Sequence, residues 1–303
     1  HVHEMVRQFA GCKLAQDEKL QLAIHQRHSE YFIGRLCRWW EETESQHIVA
    51  TLQPDLDNIY AAWEWAFEHQ LFALLSHAII PFTQFHIYAE LLWDVRLLMD
   101  SYYEKLVARL AQPDELADPG ATQELKSALT YARGAFHYYL SNYETATALM
   151  EEAKEQVQRF KYWHLASAIE HILGHICRMT HHLDKAQQHL QQAITYAEAQ
   201  KQPYLQISPL LYLAIIANQF GQLAEDERYL QQAYHFLQHY PDVSQEAQYH
   251  SVYSDTYHAQ GRWSEALASA QKTIELISQQ RPPNDNFHRV GKILWQSGRY
   301  PLA

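Results

Sequence analysis

From Ala132 onward, small and apolar residues recur in a pattern that repeats every 40 positions. Four segments align without a gap: ARGAFHYYLSNYETATALMEEA (Ala132–Ala153), ILGHICRMTHHLDKAQQHLQQA (Ile172–Ala193), YLAIIANQFGQLAEDERYLQQA (Tyr212–Ala233) and VYSDTYHAQGRWSEALASAQKT (Val252–Thr273). Each begins with a small anchor: Gly134, Gly174, Ala214 or Ser254. Seven residues on stand Ser141, His181, Gly221 and Gly261, placed to end one helix, and two further on Tyr143, Leu183, Leu223 and Trp263 open the next. Ala146, Ala186 and Ala266 follow at a fixed offset, and Asp226 breaks that series. Leu190, Leu230, Ala153, Ala193 and Ala233 complete the second helical face. The pattern predicts antiparallel helical hairpins. Small residues let two helices approach, and larger ones fill the gap to the next hairpin.

The G-x-x-[Y/A]…G-x-[YW]-x-x-A arrangement, as in GQLAEDERYLQQA and GRWSEALASAQ, resembles the tetratricopeptide repeat from about Gln123 to the C-terminus. The resemblance implies an all-α fold, a right-handed alpha-alpha superhelix (solenoid) of antiparallel hairpins. Tetratricopeptide repeats usually have a period of about 34. The extra length is expected in longer helices or in the polar, Pro-bearing joints KQPYLQISP (Lys201–Pro209) and HYPDVSQEA (His239–Ala247). VGKILWQSGRYPLA (Val290–Ala303) repeats the anchors and stops where a second helix should begin, so the last repeat is expected to be truncated.

Between Gln53 and Arg109 the repeat is degenerate or absent, and the sequence reads as about three helices. Pro54, Asp55 and Asp57 suit a first turn. Leu56, Ile59, Tyr60, Trp63 and Phe67 recur at helical spacing, and LLSHAIIPF is apolar on several faces, as a central helix would be. AQPDELADPGATQE (Ala111–Glu124) is the clearest loop and reads as a joint within one solenoid. The expected organisation is linking helices over 1–52, a degenerate helical region over 53–120 and the regular array over 121–303.

Composition narrows the function classes. The chain has 303 residues, 47% of them hydrophobic, with only nine Gly and ten Pro. That favours packed helices over disorder. A formal net charge of −11, with no run of Lys and Arg, argues against direct contact with nucleic acid or an anionic membrane. Three widely spaced Cys (Cys12, Cys37, Cys177) suit a reducing compartment, and no stretch reaches membrane-spanning length, so a cytoplasmic location is expected.

Three runs carry a second resemblance: HEMVRQFAGCKL (His3–Leu14), HQRHSEYFIGRL (His25–Leu36) and PDLDNIYAAWEWAFEH (Pro54–His69). In this order they resemble the segment after the nucleotide-binding and winged-helix modules of bacterial signal-transduction ATPases of the STAND class. The resemblance implies the signal-receiving part of a multidomain ATP-dependent regulator, in transcription control or signalling, whose ATPase and winged-helix modules would be intramolecular partners. The alternative is a plain scaffold for protein–protein interaction. No G-x-x-x-x-G-K-[ST] loop occurs in the sequence, so no nucleotide cofactor is expected to bind here.

No enzymatic or metal chemistry is expected. His171 and His175 share a helical face, but the run is HILGH, without the Glu of a zinc hydrolase motif or a complete ligand set. His181 and His182 fall at a hairpin turn, and His1-Val2-His3 reads as a seam after a preceding module. The apolar face of Met5, Phe9 and Cys12 is expected either to pack around Ile24 and Phe32 or to be partly bare. No nucleophile sits on a strand-to-helix elbow.

The first helix of each hairpin should line a concave groove. The offsets select Tyr131, Ala135, Tyr138 and Tyr139, then His171, His175, Arg178 and Met179. Next come Leu211, Ile215, Asn218 and Gln219, and finally Ser251, Asp255, His258 and Ala259. Such a lining suits a peptide, a protein segment or a polar small-molecule effector. The competing reading is that the same aromatics fill gaps between repeats. Of five N-terminal tryptophans (Trp39, Trp40, Trp63, Trp65, Trp93), four are expected to be buried, an exposed one being a docking patch.

Overall fold

The computed structural model describes residues 16–42, 51–112, 114 and 116–280, and the expectations for His1–Cys12 and Val290–Ala303 lie outside them. The described elements are twelve α-helices and three short 3-10 turns, with no strand among them. We number the helices α1 (Glu18–Glu42), α2 (Leu56–Glu68), α3 (Phe72–Tyr88), α4 (Leu92–Leu110), α5 (Pro119–Tyr139) and α6 (Tyr143–Phe160). They continue as α7 (Ala166–Met179), α8 (Leu183–Ala199), α9 (Ile207–Gln219), α10 (Leu223–His239), α11 (Val243–Ala259) and α12 (Trp263–Gln280). The chain is all-α and built of tetratricopeptide-like hairpins. By contacts it forms two compact units that divide inside α5, between Phe136 and His137.

In the first unit, α1 packs on α2 and α3. Trp63 of α2 and Phe82 of α3 meet at 4.1 Å between ring centroids, and both are fully buried. α3 is buried on several faces, as its continuous apolar run requires, and it takes Pro81 into its interior. The Pro54 segment forms a 3-10 turn (Gln53–Asp55) just before α2, fixed by an ion pair from Arg35 to Asp55. The tryptophans depart from expectation. Only Trp63 is fully buried, Trp93 is 66% exposed, and Trp39, Trp40 and Trp65 are half-buried.

In the second unit, α7/α8, α9/α10 and α11/α12 are the predicted hairpins. Each first helix ends in a left-handed residue: Ser141, His181, Gly221 and Gly261 have φ of 61, 62, 70 and 73°. The next N–H reaches back to an orphan carbonyl, as from His182 to Cys177 and from Gln222 to Ala217, both at 2.8 Å. That is the Schellman closure, which favours Gly because a Cβ is strained there. The small anchors set the helix approach. The anchor Ser254 donates its Oγ to the Ala266 carbonyl at 2.9 Å, and Ser167, a small residue on α7 outside the anchor series, makes the same bond to Ala193 at the same distance. The extra residues per repeat lie in second helices of 17–18 residues and in 3-10 turns at Trp163–Leu165 and Pro203–Gln206.

Candidate functional site

The polar cluster of the second unit sits on its first helices. His171, His175 and Arg178 are spaced four and three apart on α7, so one face presents all three. Tyr138, at the end of α5, brings its hydroxyl to 2.6 Å from His175 Nδ1. Arg178 Nη2 lies 2.9 Å from His175 Nε2 and 3.3 Å from Met179 Sδ. A guanidinium only donates, so His175 Nε2 accepts and Nδ1 carries the proton toward the Tyr138 oxygen. Tyr212 of α9 closes the cluster, its ring 4.3 Å from that of His175, 5.5 Å from that of His171 and 5.2 Å beneath the Arg178 guanidinium. Side-chain hydrogen bonds from Gln248 of α11 and from Tyr138 hold the Tyr212 hydroxyl.

Burial dominates the electrostatics. It lowers the pKa of His171 to about 4, and that of His175 to about 3 with help from the charges of Arg178 and His171. Burial likewise raises the Tyr138 and Tyr212 hydroxyls. Arg178 is therefore a cation held by neutral groups: an imidazole, a thioether and an aromatic face. Its Nε, like His171 Nε2, is buried without a hydrogen-bond partner. Unpaired buried polar atoms cost about 1–3 kcal/mol each, which an incoming acceptor or donor can relieve.

The other groove candidates are dispersed. Tyr131 is fully buried in the first unit and Leu211 in the second, so the position three before the anchor points into the core there. Ser251 and Ala135 are buried too. Tyr139 is 41% exposed with its ring 4.7 Å from that of Tyr138. Gln219, Asp255 and Ala259 are exposed, and Ile215 is half-buried. His258 packs edge-on against Trp263 at 4.7 Å, with its Nε2 buried and unpartnered. Asn218 is half-buried, and its Nδ2 donates to Asp226 Oδ2 of α10 at 2.8 Å.

Asp226 is solvent-inaccessible, also accepts from Thr256 Oγ1 at 2.8 Å, and leaves Oδ1 unpartnered. Burial raises its pKa, which hydrogen bonds from Asn218 and Thr256 oppose and the nearby Glu227 and Asp255 charges reinforce. The folded state thus holds this proton more tightly than the unfolded chain. Its stabilising contribution is complete at acid pH and is lost as pH rises through the folded pKa. Asp226→Asn, which cannot ionise, should stabilise the second unit at pH 7 by on the order of 1 kcal/mol. Thermal melts should show that gain shrinking toward pH 4.

Sequence offsets missed Tyr212 and Gln248. Tyr212 lies one residue past a selected position, and Gln248 six before its anchor. A cavity of about 440 Å³ opens elsewhere, lined by Gln191 and Glu198 of α8, Arg228, Gln232 and His235 of α10, and Leu210. Among the described residues, no three His, Cys, Asp or Glu converge as metal ligands, and no helix is long and apolar enough to cross a membrane.

No protein-family model and no curated protein sequence matches the chain. Solved structures share the fold. The quorum sensor NprR in complex with its cognate peptide NprX superposes with a TM-score of 0.56 at 13% identity, covering 88% of this chain and 73% of that one. The apo form of NprR from B. thuringiensis gives 0.54 at 13% identity, covering 89% and 72%. BtubC (BKLC) from P. vanneervenii gives 0.49 at 17% identity, covering 67% and 85%. At 13% identity the likeness to NprR concerns the fold alone.

Proposed function

We propose that the first-helix face of the second unit binds a peptide or an extended protein segment, with an anionic group of that segment seated against Arg178. The carrying observation is a half-buried cation whose partners among the described residues are all neutral, beside the unpartnered His171 Nε2. Tyr138, Tyr139 and Tyr212 add aromatic surface, which contributes contact area at small entropic cost. NprR, whose fold is similar, was crystallised with a peptide, and that supports the reading by analogy. A peptide offers repeated polar and apolar contacts along a row of helices, as this face does.

A second, finer reading makes this face the sensor of a STAND-like ATP-dependent regulator. HQRHSEYFIGRL and PDLDNIYAAWEWAFEH support it, and a G-x-x-x-x-G-K-[ST] loop encoded in the same reading frame would test it. In such a regulator, ligand binding shifts an equilibrium between inactive and active states by its differential affinity.

The binding reading is tested by selecting ligands for this chain from a random peptide library and titrating the selected peptides into wild type and Arg178→Gln. Acidic sequences should be enriched. Affinity should fall about tenfold or more in the variant, as expected for loss of a charge-assisted hydrogen bond. Peptides that bind both proteins equally would overturn it.

A further inference from the structure

The cavity of about 440 Å³ lies between the second helices α8 and α10 of the second unit. Its floor is apolar: Ile194 of α8, Leu210 of α9 and Tyr229 of α10 line it and are buried. Forty residues back, one repeat earlier, the same three positions are Lys154, Glu170 and His189. There they close on one another, with Lys154 Nζ 2.9 Å from Glu170 Oε1 and His189 Nδ1 2.6 Å from Oε2. The interval between second helices is bridged by an ion cluster in one repeat and left open in the next.

Above the floor the lining is rich in amides: Gln191 of α8, Gln206 of the Pro203–Gln206 turn, and Gln231 and Gln232 of α10. None of these four makes a side-chain hydrogen bond to the described residues. Three of them are exposed, where water satisfies them. Gln206 is different, at 7% exposure. An unpaired amide at that depth is costly to desolvate. Packing does not require it, since the equivalent residue one repeat earlier is the buried Ala166. The charges of the lining are spent or repulsive to an anion. Arg228 Nε and Nη2 both donate to Glu225 Oε2, at 2.9 and 2.5 Å, and Glu198 stands on the α8 wall.

We propose that this cavity is a second binding site, for a neutral mono- or disaccharide. A carboxamide both donates and accepts, as each sugar hydroxyl does, so neighbouring hydroxyls pair with the four glutamines. A hydroxyl seated at Gln206 gives that amide the partner it lacks, and the C–H face of the ring rests on Ile194 and Leu210. The volume is in the range of small-molecule sites. A nucleobase would need an open aromatic face for stacking. Tyr229 offers little of one, being 9% exposed with the Arg228 guanidinium 4.6 Å over its ring.

The probes are glucose, galactose, mannose and sucrose, with glucose 6-phosphate and adenosine as counter-probes, each titrated into this chain by ligand-observed NMR. At least one neutral sugar should bind saturably below about 10 mM, and neither counter-probe should. Gln206→Leu should weaken that sugar about tenfold or more, yet melt no lower than wild type, because leucine suits the apolar floor. Gln232→Leu, at an exposed position, should weaken it too and supplies the same reading if Gln206→Leu does not fold. Arg178→Gln should leave sugar binding unchanged, which separates this site from the peptide face. Failure of all four sugars to saturate would overturn the proposal. So would tighter binding of either counter-probe, or a sugar affinity unaltered in both glutamine variants.

Discussion

Gly174→Val should unfold the α7/α8 hairpin at temperatures where wild type is intact. A Cβ on Gly174 would stand 2.8 and 2.9 Å from Leu190 Cγ and Cδ2, and 3.2 Å from the Leu190 backbone nitrogen. Leu190 is fully buried within the core shared by α8, α9 and α10, so its side chain has no free space to retreat into. Two opposing terms decide the alanine case. Gly→Ala in a helix gains about 1 kcal/mol of propensity, whereas overpacking a filled core costs about 1–3 kcal/mol. A net loss of about 1 kcal/mol follows. Valine adds two methyls against the same backbone and should cost several times more, on the order of 4 kcal/mol. Thermal denaturation of both variants checks the ordering. A Gly174→Val protein that melts with wild type would refute the close approach of α7 and α8.

Acidification should destabilise both units well before the carboxylates titrate. His86 in the first unit and His171 and His175 in the second have pKa values lowered to about 4, 4 and 3, chiefly by burial. His86 is spent structurally: one nitrogen lies 2.7 Å from the Phe82 carbonyl and the other 2.9 Å from the Tyr60 hydroxyl. Because the folded values lie below the unfolded one, the unfolded chain takes up protons first. Stability is therefore intact above about pH 6.5 and falls as pH drops toward the folded values. Each histidine removes about 1.4 kcal/mol per pH unit in that window. His189 runs the other way: raised to about 9, it stabilises below the unfolded pKa, and that contribution is lost as pH rises through about 9. Melting temperatures across pH 5–9 should be highest near neutrality. His171→Gln should flatten the acid limb of the second unit and leave that of the first unchanged.

What the sequence disclosed follows from what repeats. Anchors and turn residues recur because close helix approach and a left-handed cap impose the same demand on every hairpin. Gly174 and Gly221 were therefore legible, and His181 could be placed by register although its side chain gives no hint of positive φ. The site was legible only in part, because helix rotation decides which residues of a turn face outward. An offset of one residue turns a side chain by about 100°. That is why Leu211 proved to be core while its neighbour Tyr212 closes the cluster. Asn218 has a partner that the offsets did not foresee. Asp226, which visibly broke the alanine series, accepts a part-buried hydrogen bond from it. The tryptophans were hardest, since nothing in a degenerate repeat specifies which face of α4 is covered, and Trp93 is left exposed.

The face used for binding is open to direct measurement. A photo-crosslinking residue is placed at Met179, beside Arg178, in one protein, and at Gln231, on the lining of the α8/α10 cavity, in another. Each is irradiated with the same library-selected peptide and analysed by mass spectrometry. Adducts are expected from position 179 and none from position 231, with Arg178→Gln abolishing the former. Adducts from position 231 alone, unaffected by Arg178→Gln, would contradict it and place recognition at the cavity instead.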